Sequence, residues 1–286
     1  MSAVPQFFAD YQALVDVELT RLLPSDGMVQ RSMAYTVLAP SKRVRPVLTL
    51  LTAELCGGSA ARATPAAAVM ELVHASSLIL DDLPSMDDAP LRRGRQSNHL
   101  VFGEGIAILA AFGLLNLAYA TLARAYEPHL VVRLATLVSD AIGADGLIGG
   151  QAEDLLATDR QITFEVLERI HRGKTGALFS AAATAGAVTS GAAPDAIASL
   201  AAFAKNLGLA FQVIDDLLDV EGDPAQTGKA VREDVKKTTF VSFSGIAGAR
   251  QLAAELCHTA DLALAPFGRR ADRLRELSAF VAARRA

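Results

Sequence analysis

Two stretches of the chain concentrate carboxylates where a helix has just been apolar. In the first, Leu78-Ile79-Leu80 runs into Asp81 and Asp82, and Asp87 and Asp88 follow about one turn after Pro84 interrupts the helix. In the second, Val213-Ile214 leads into Asp215 and Asp216, with Asp219 four residues beyond Asp215 and so on the same helical face. Carboxylates at the rim of an apolar helix repel one another and resist losing water. A shared hard cation relieves both costs. Mg2+ suits the role, since it takes one or two carboxylates and leaves its other positions to water and substrate phosphates. A single Asp pair reads as a solvated helix end; two, each directly after a buried run, point to metal.

Basic residues stand near both runs. Lys42-Arg43-Val44-Arg45 precedes one helix, Arg92-Arg93 follows the first acidic run, Lys174-Thr175 sits in HRGKTGAL, and Lys229, Lys236 and Lys237 follow the second run. Metal-binding carboxylates beside Arg and Lys describe a site for a small, heavily phosphorylated substrate.

The elements that must carry these residues are helices. Ala, Leu and charged residues recur at three- and four-residue spacing and alternation is rare, which predicts helices over 5–22, 45–56, 64–83, 104–126, 129–143, 147–157, 163–190, 194–220, 246–265 and 268–284. Pro24-Ser25-Asp26-Gly27, Pro40-Ser41, Gly57-Gly58-Ser59 and Gly222-Asp223-Pro224 punctuate them. No linker is long enough to separate two units, so residues 1–286 are expected to form a single all-α domain. Half the chain is hydrophobic (51%) and the net charge is −4, which excludes disorder and gives no reason to expect nucleic acid. Cys56 and Cys257 form no metal or disulfide framework, and the N-terminus lacks a signal-peptide pattern, so a reduced, cytoplasmic setting is expected. Gly105–Ala123 is uncharged and of spanning length, but it carries Gly and Asn116 and is read as a helix buried on all sides, with no transmembrane segment.

Taken in order, the motifs resemble the trans-isoprenyl diphosphate synthases, the polyprenyl synthetase family. The resemblance runs from about residue 40 to 245: DDxxxxD (Asp81, Asp82, Asp87), LRRGR, a His-to-Leu motif at His99–Leu109, GGQAEDL (149–155), GKTGALF (173–179) and AFQVIDDLLD (210–219). The wording of 72–95 is most similar to bacterial geranylgeranyl diphosphate synthases. The resemblance implies an isoprenoid-synthase-type helical bundle around a deep apolar cavity, acting as a homodimer on isopentenyl diphosphate and C5, C10 or C15 allylic diphosphates. It implies three Mg2+ ions bound with the allylic diphosphate through Asp81, Asp87 and Asp215, with Asp82, Asp216 and Asp219 completing the motifs. Arg92, Lys174, Gln212, Lys229 and Lys237 are expected on the allylic diphosphate. Lys42, Arg45, His74 and Arg93 are expected on that of isopentenyl diphosphate. Lys174, Thr175 and Gln212 are expected to act in catalysis, the last two by placing oxygen dipoles near an allylic cation.

Product length in this family follows the depth of the cavity below Asp81. Ser76 and Ser77 are small where short-chain enzymes carry an aromatic, which favours C20, with Val73 and Met70 as a possible floor. Phe112 stands where many relatives have Asp and is expected either in the core or shortening the tunnel toward C15. Pro40-Ser41 replaces the family's usual Gly-Gly, and the segment around Lys236 and Lys237 is about two residues short, with Lys237 the preferred match. A class I terpene cyclase and a non-catalytic partner subunit are the competing readings.

Overall fold

Whether these patterns become helices is decided at their ends, where backbone groups need local partners. The computed structural model describes residues 5–23, 26–221 and 237–284, and these are almost entirely helical. In chain order they form α1 (Gln6–Leu22), α2 (Met28–Val37), α3 (Val44–Leu55) and α4 (Ala60–Asp81), then a two-rung hairpin of β1 (Leu91–Arg92) and β2 (Arg95–Gln96). There follow α5 (Asn98–Phe102), α6 (Glu104–Ala125), α7 (Pro128–Ile142), α8 (Leu147–Ala157) and α9 (Phe164–His171). A single π turn (Arg172–Gly176) leads into α10 (Ala177–Thr189) and α11 (Pro194–Glu221). After the undescribed stretch come α12 (Phe240–Ala263), a 3-10 segment (Ala265–Ala271) and α13 (Asp272–Ala282). Ser59 caps α4, accepting the Arg62 N–H at 3.3 Å, and α4 stops at Asp81, three residues before Pro84.

One contiguous apolar core runs through the bundle, centred on α3, α4 and α10. The Ala-rich segment 181–187 lets α10 lie close against α3, where Thr49 Oγ1 donates to the Ala182 carbonyl at 2.9 Å. The core holds Phe8, Phe179, Phe203 and Phe240 wholly buried; burying each such ring contributes about 1.5–3 kcal/mol. Beyond its accessible first turn and Pro65, α4 is mostly enclosed; His74, Ser77, Leu78 and Asp81 form a partly accessible stripe at helical spacing, and Leu80 is partly accessible too. α6 lies antiparallel to α4. Ser76 Oγ donates to the Ala111 carbonyl at 2.9 Å near one end. At the other, the Tyr126 hydroxyl donates to the Arg62 carbonyl at 2.8 Å and accepts the Ala66 N–H at 3.1 Å, standing in for a helical bond beside Pro65.

Some expectations are corrected. α2 and the short α5 were not foreseen, since neither has a long apolar period. The helix expected over 163–190 is present, with one turn, Arg172–Gly176, widened to π form. The helix expected from 246 starts at Phe240, because Thr239 and Ser242 form a capping box; Gly245, at φ 71°, still marks the interruption that the pattern suggested. The 105–123 segment is not buried on all sides: Ile108, Leu109 and Phe112 of α6 are exposed. By length and composition alone α4, α6 and α11 are all apolar enough to cross a membrane, and α6 is the least covered by the rest of the chain. The expected breaker at 222–224 lies outside the described residues.

Candidate active site

The end of α4 folds back on itself. The Asp87 N–H donates to the Asp81 carbonyl at 2.9 Å and the Asp88 N–H to that of Leu83 at 3.1 Å, which brings Asp87 beside Asp81. Burial raises the Asp81 carboxyl above its ordinary range, and the neighbouring Asp87 charge adds to the rise. Two lysines answer. Lys237 Nζ lies 2.7 Å from Asp87 Oδ1 and 3.1 Å from Asp154 Oδ2. Lys174 Nζ lies 2.8 Å from the same Asp154 oxygen and 3.9 Å from Asp81 Oδ2. The charges therefore alternate along one line, Asp87, Lys237, Asp154, Lys174, Asp81. Although burial opposes each charge, the partners hold both lysines above and Asp154 below the usual values.

Asp154 was not foreseen, although GGQAEDL contains it. The signal lay in the glycines. A Cβ on Gly150 would sit 2.2 Å from the Lys174 backbone nitrogen, and one on Gly173 would sit 2.8 Å from the Gly146 carbonyl oxygen. Only bare backbone lets α8 and the π turn touch, and that contact sets Asp154, one turn past Gly150, beside Lys174. Single π turns recur at functional sites.

In each Asp pair the second carboxylate turns away. Asp82 is buried and accepts from Arg92 Nε at 2.8 Å. Asp216 is buried too, its Oδ1 accepting from Gln212 Nε2 at 2.9 Å and its Oδ2 from the Phe240 N–H at 2.8 Å. Asp82 Oδ1 thus holds Arg92, and the Asp216 carboxylate holds Gln212 and the start of α12. Asp219 shares the accessible face of α11 with Asp215. Thr175 Oγ1, on the π turn, donates to Gln212 Oε1 at 3.2 Å, so two of the expected catalytic residues touch.

Asp215 has an unforeseen partner. Arg284 Nη2 lies 2.8 Å from its Oδ1, with the guanidinium 4.1 Å from the Phe211 ring centre. Lys42 is close by: burial, together with the Arg284 charge and against the opposing Asp215, lowers its pKa to about 8. Arg45 stacks over Phe179 at 4.5 Å, and burial lowers it to about 10. His74 is held well below its ordinary pKa by burial and by Arg45, Arg93, Arg92 and Arg43, so it is neutral. Arg45 Nε and Arg93 Nη1 are buried with no hydrogen-bond partner among the described residues. Donors arranged in this way suit an anion. Lys229 lies outside the described residues.

The donor chemistry fits Mg2+. Asp81 and Asp87 are adjacent hard oxygen donors whose mutual repulsion calls for a cation. Among the described residues no three acidic, His or Cys side chains converge into a protein-only metal cage; Mg2+ draws most of its ligands from water and phosphate. Of the chain-length residues, Ser77 lies on the accessible stripe of α4, while Ser76 is buried against Ala111. Phe112 is not in the core of the chain. The Ala111 carbonyl meets α4, the next residue lies 100° further round α6, and its ring is 65% exposed.

Three comparisons bear on this arrangement. A family model described as polyprenyl synthetase matches residues 26–258. The chain is 39% identical over 258 residues to a farnesyl diphosphate synthase of Geobacillus stearothermophilus, covering 87% of each. It is 38% identical over 248 residues to a geranylgeranyl diphosphate synthase of Cyanophora paradoxa, covering 84% of this chain and 83% of that one. An apo crystal structure of a farnesyl/geranylfarnesyl diphosphate synthase from Zymomonas mobilis superposes with a TM-score of 0.87 at 31% identity, covering 97% of this chain and 98% of its own.

Proposed function

Because the chain belongs to the polyprenyl synthetase family and is a prenyltransferase making prenyl diphosphates, we propose that it joins isopentenyl diphosphate head to tail to C5, C10 or C15 allylic diphosphates, ending at the C20 geranylgeranyl diphosphate. The observation that carries this reading is the division of the site into two anion subsites. On one side Asp81 and Asp87 are laced to Lys174 and Lys237; on the other, Arg45 and Arg93 point unpartnered N–H groups into buried space.

Asp81, Asp87 and Asp215 would hold Mg2+, which when bound would supply charge stabilisation for a departing diphosphate. Lys174 and Lys237 stand on the same oxygens' side and stabilise that negative charge without reorganising, since Asp154 already fixes them. The Thr175 hydroxyl gives its proton to Gln212 and keeps its lone pairs for the allylic cation. Arg45, Arg93, Lys42 and neutral His74 hold the second diphosphate, so that its double bond meets that cation. C20 over C15 is favoured by small Ser77 on the α4 stripe and by the outward direction of Phe112, which removes the bulky side chain that argued for a shorter product. The exposed Ile108, Leu109 and Phe112 of α6 suit a second copy of the chain.

The test is a product assay with Mg2+, isopentenyl diphosphate and each allylic starter, sizing the dephosphorylated alcohols. A C20 alcohol is expected. A C15 stop overturns the length assignment. Conversion of starter to hydrocarbon favours a cyclase, and a folded protein that consumes no starter favours a partner subunit.

A further inference from the structure

Glu71 lies on α4, ten residues before Asp81, and is only 2% exposed. A carboxylate so deep persists as an ion only with partners. Arg43 Nη1 reaches its Oε1 at 2.5 Å, Ser41 Oγ at 3.4 Å and Arg93 Nη2 at 3.6 Å. The two arginines come from different segments, the loop before α3 and the turn of the β1–β2 hairpin. Both have left-handed backbones that a side chain rarely adopts, φ 50° at Arg43 and φ 54° at Arg93.

The two left-handed residues determine where the neighbouring cations go. At Arg43 the twist sends that side chain into the core, where Nε also meets Asp16 at 2.9 Å and Nη2 donates to the Val37 carbonyl at 2.7 Å. Arg43 is thereby spent, while Lys42 and Arg45 on either side remain near the site. At Arg93 the twist separates two adjacent arginines, Arg92 going to Asp82 and Arg93 to Glu71. Gln12 Nε2 donates to the Lys42 carbonyl at 3.0 Å and fixes the loop from its other side. Arg93 Nη1 and, beside this network, Arg45 Nε stay uncommitted, two buried donors without a partner among the described residues.

Resting on the two-diphosphate reading above, we propose that Glu71 is a positioning residue for the isopentenyl diphosphate subsite, a single buried carboxylate that holds the Arg43 loop and the Arg93 turn in their left-handed forms and so aims Lys42, Arg45 and Arg93 at the second diphosphate. Glu71 does not itself touch substrate. The allylic subsite, built on Asp81, Asp87, Asp154, Lys174 and Lys237, does not depend on it.

The test is steady-state kinetics of Glu71→Gln with each substrate varied in turn. The expected result is a rise of about tenfold or more in KM for isopentenyl diphosphate, with KM for the allylic diphosphate and kcat at saturation within about threefold of wild type. Glu71→Asp falls between. Should Glu71→Gln not fold, Arg43→Lys is measured in the same way, and the same one-sided rise is expected. Equal rises in both KM values, or an unchanged isopentenyl KM in a folded variant, overturn the proposal. A wild-type protein that does not consume isopentenyl diphosphate overturns the functional reading, whereas an active wild type with an unselective variant overturns the role of Glu71 alone.

Discussion

The two acidic runs begin with the same Asp-Asp pair on the same kind of apolar helix, yet they are held in different ways. Asp81 and Asp87 are countered by Lys174 and Lys237, which share Asp154, so five charges from α4, the turn after it, α8, the π turn and the start of α12 brace one another. Asp215 is countered by Arg284, which arrives from beyond α13. The first run draws its partners from the middle of the chain; the second draws Arg284 from beyond α13. In both, the leading aspartate faces the site and the following one is built into the fold. An Asp-Asp pair on a helix thus splits into a functional carboxylate and a structural one, because consecutive residues lie 100° apart.

The sharpest way to break this division is to exchange the fates of Asp81 and Asp82. Asp81→Ala is expected to lose at least about 10^3-fold in kcat/KM, about 4 kcal/mol of transition-state stabilisation, with its thermal midpoint kept or raised. Asp82→Ala leaves the Arg92 guanidinium without its buried partner and is expected to destabilise the fold by about 3–5 kcal/mol, read as a lowered midpoint. An Asp82→Ala protein as stable as wild type shows that the split is wrong. Next in size, Asp154→Asn loosens both lysines at once. A loss of about 10^2-fold is expected, mostly through the allylic substrate, whereas a loss falling on isopentenyl diphosphate moves Asp154 to the other subsite.

The second run is tested more gently by pH. Lys42 must be charged to hold a diphosphate, and its pKa lies near 8. The kcat/KM for isopentenyl diphosphate is therefore expected to be flat below about pH 8 and to fall above it. Stability runs the other way. The unfolded lysine, with an ordinary value of 10.5, binds the proton that the folded one has released, so the Lys42 contribution to stability rises between about pH 8 and 10.5. Arg284→Ala removes one of the charges that lower Lys42, and the alkaline limb is expected to move up; a limb that stays in place removes Arg284 from the second run's surroundings. The smallest effect is expected at Phe112, whose ring faces outward. Phe112→Ala should leave product length unchanged while weakening self-association in sedimentation, and a longer product restores it as a tunnel residue.

Much of this was legible in residue type and spacing. The helical class and the two acidic runs announce themselves, because charge directly after an apolar run is costly wherever it lacks a purpose; Lys174 and Lys237 stand out only as basic residues near those runs, and roles for Thr175 and Gln212 came from the family resemblance. Direction was not legible. Whether Ser76 or Ser77 faces the accessible stripe, and whether Phe112 points in or out, depends on which side of α4 and α6 the rest of the bundle covers. Asp154, Glu71 and Arg284 were missed for a related reason. Each works through partners 20 or more residues away, and a lone Glu in an Ala-rich helix carries no local mark of the arginines that will reach it.

The Tyr126 hydroxyl set into α4 beside Pro65 has a mechanical consequence. From Arg62, which it clasps, to Ser76, which clasps α6 in return, is fourteen residues, about 21 Å of helix. Two rods riveted at both ends cannot slide past one another. On the proposed reading, a prenyl chain growing along this wall would meet side chains held at fixed heights, and exchanging one of them would reset the length without moving the frame.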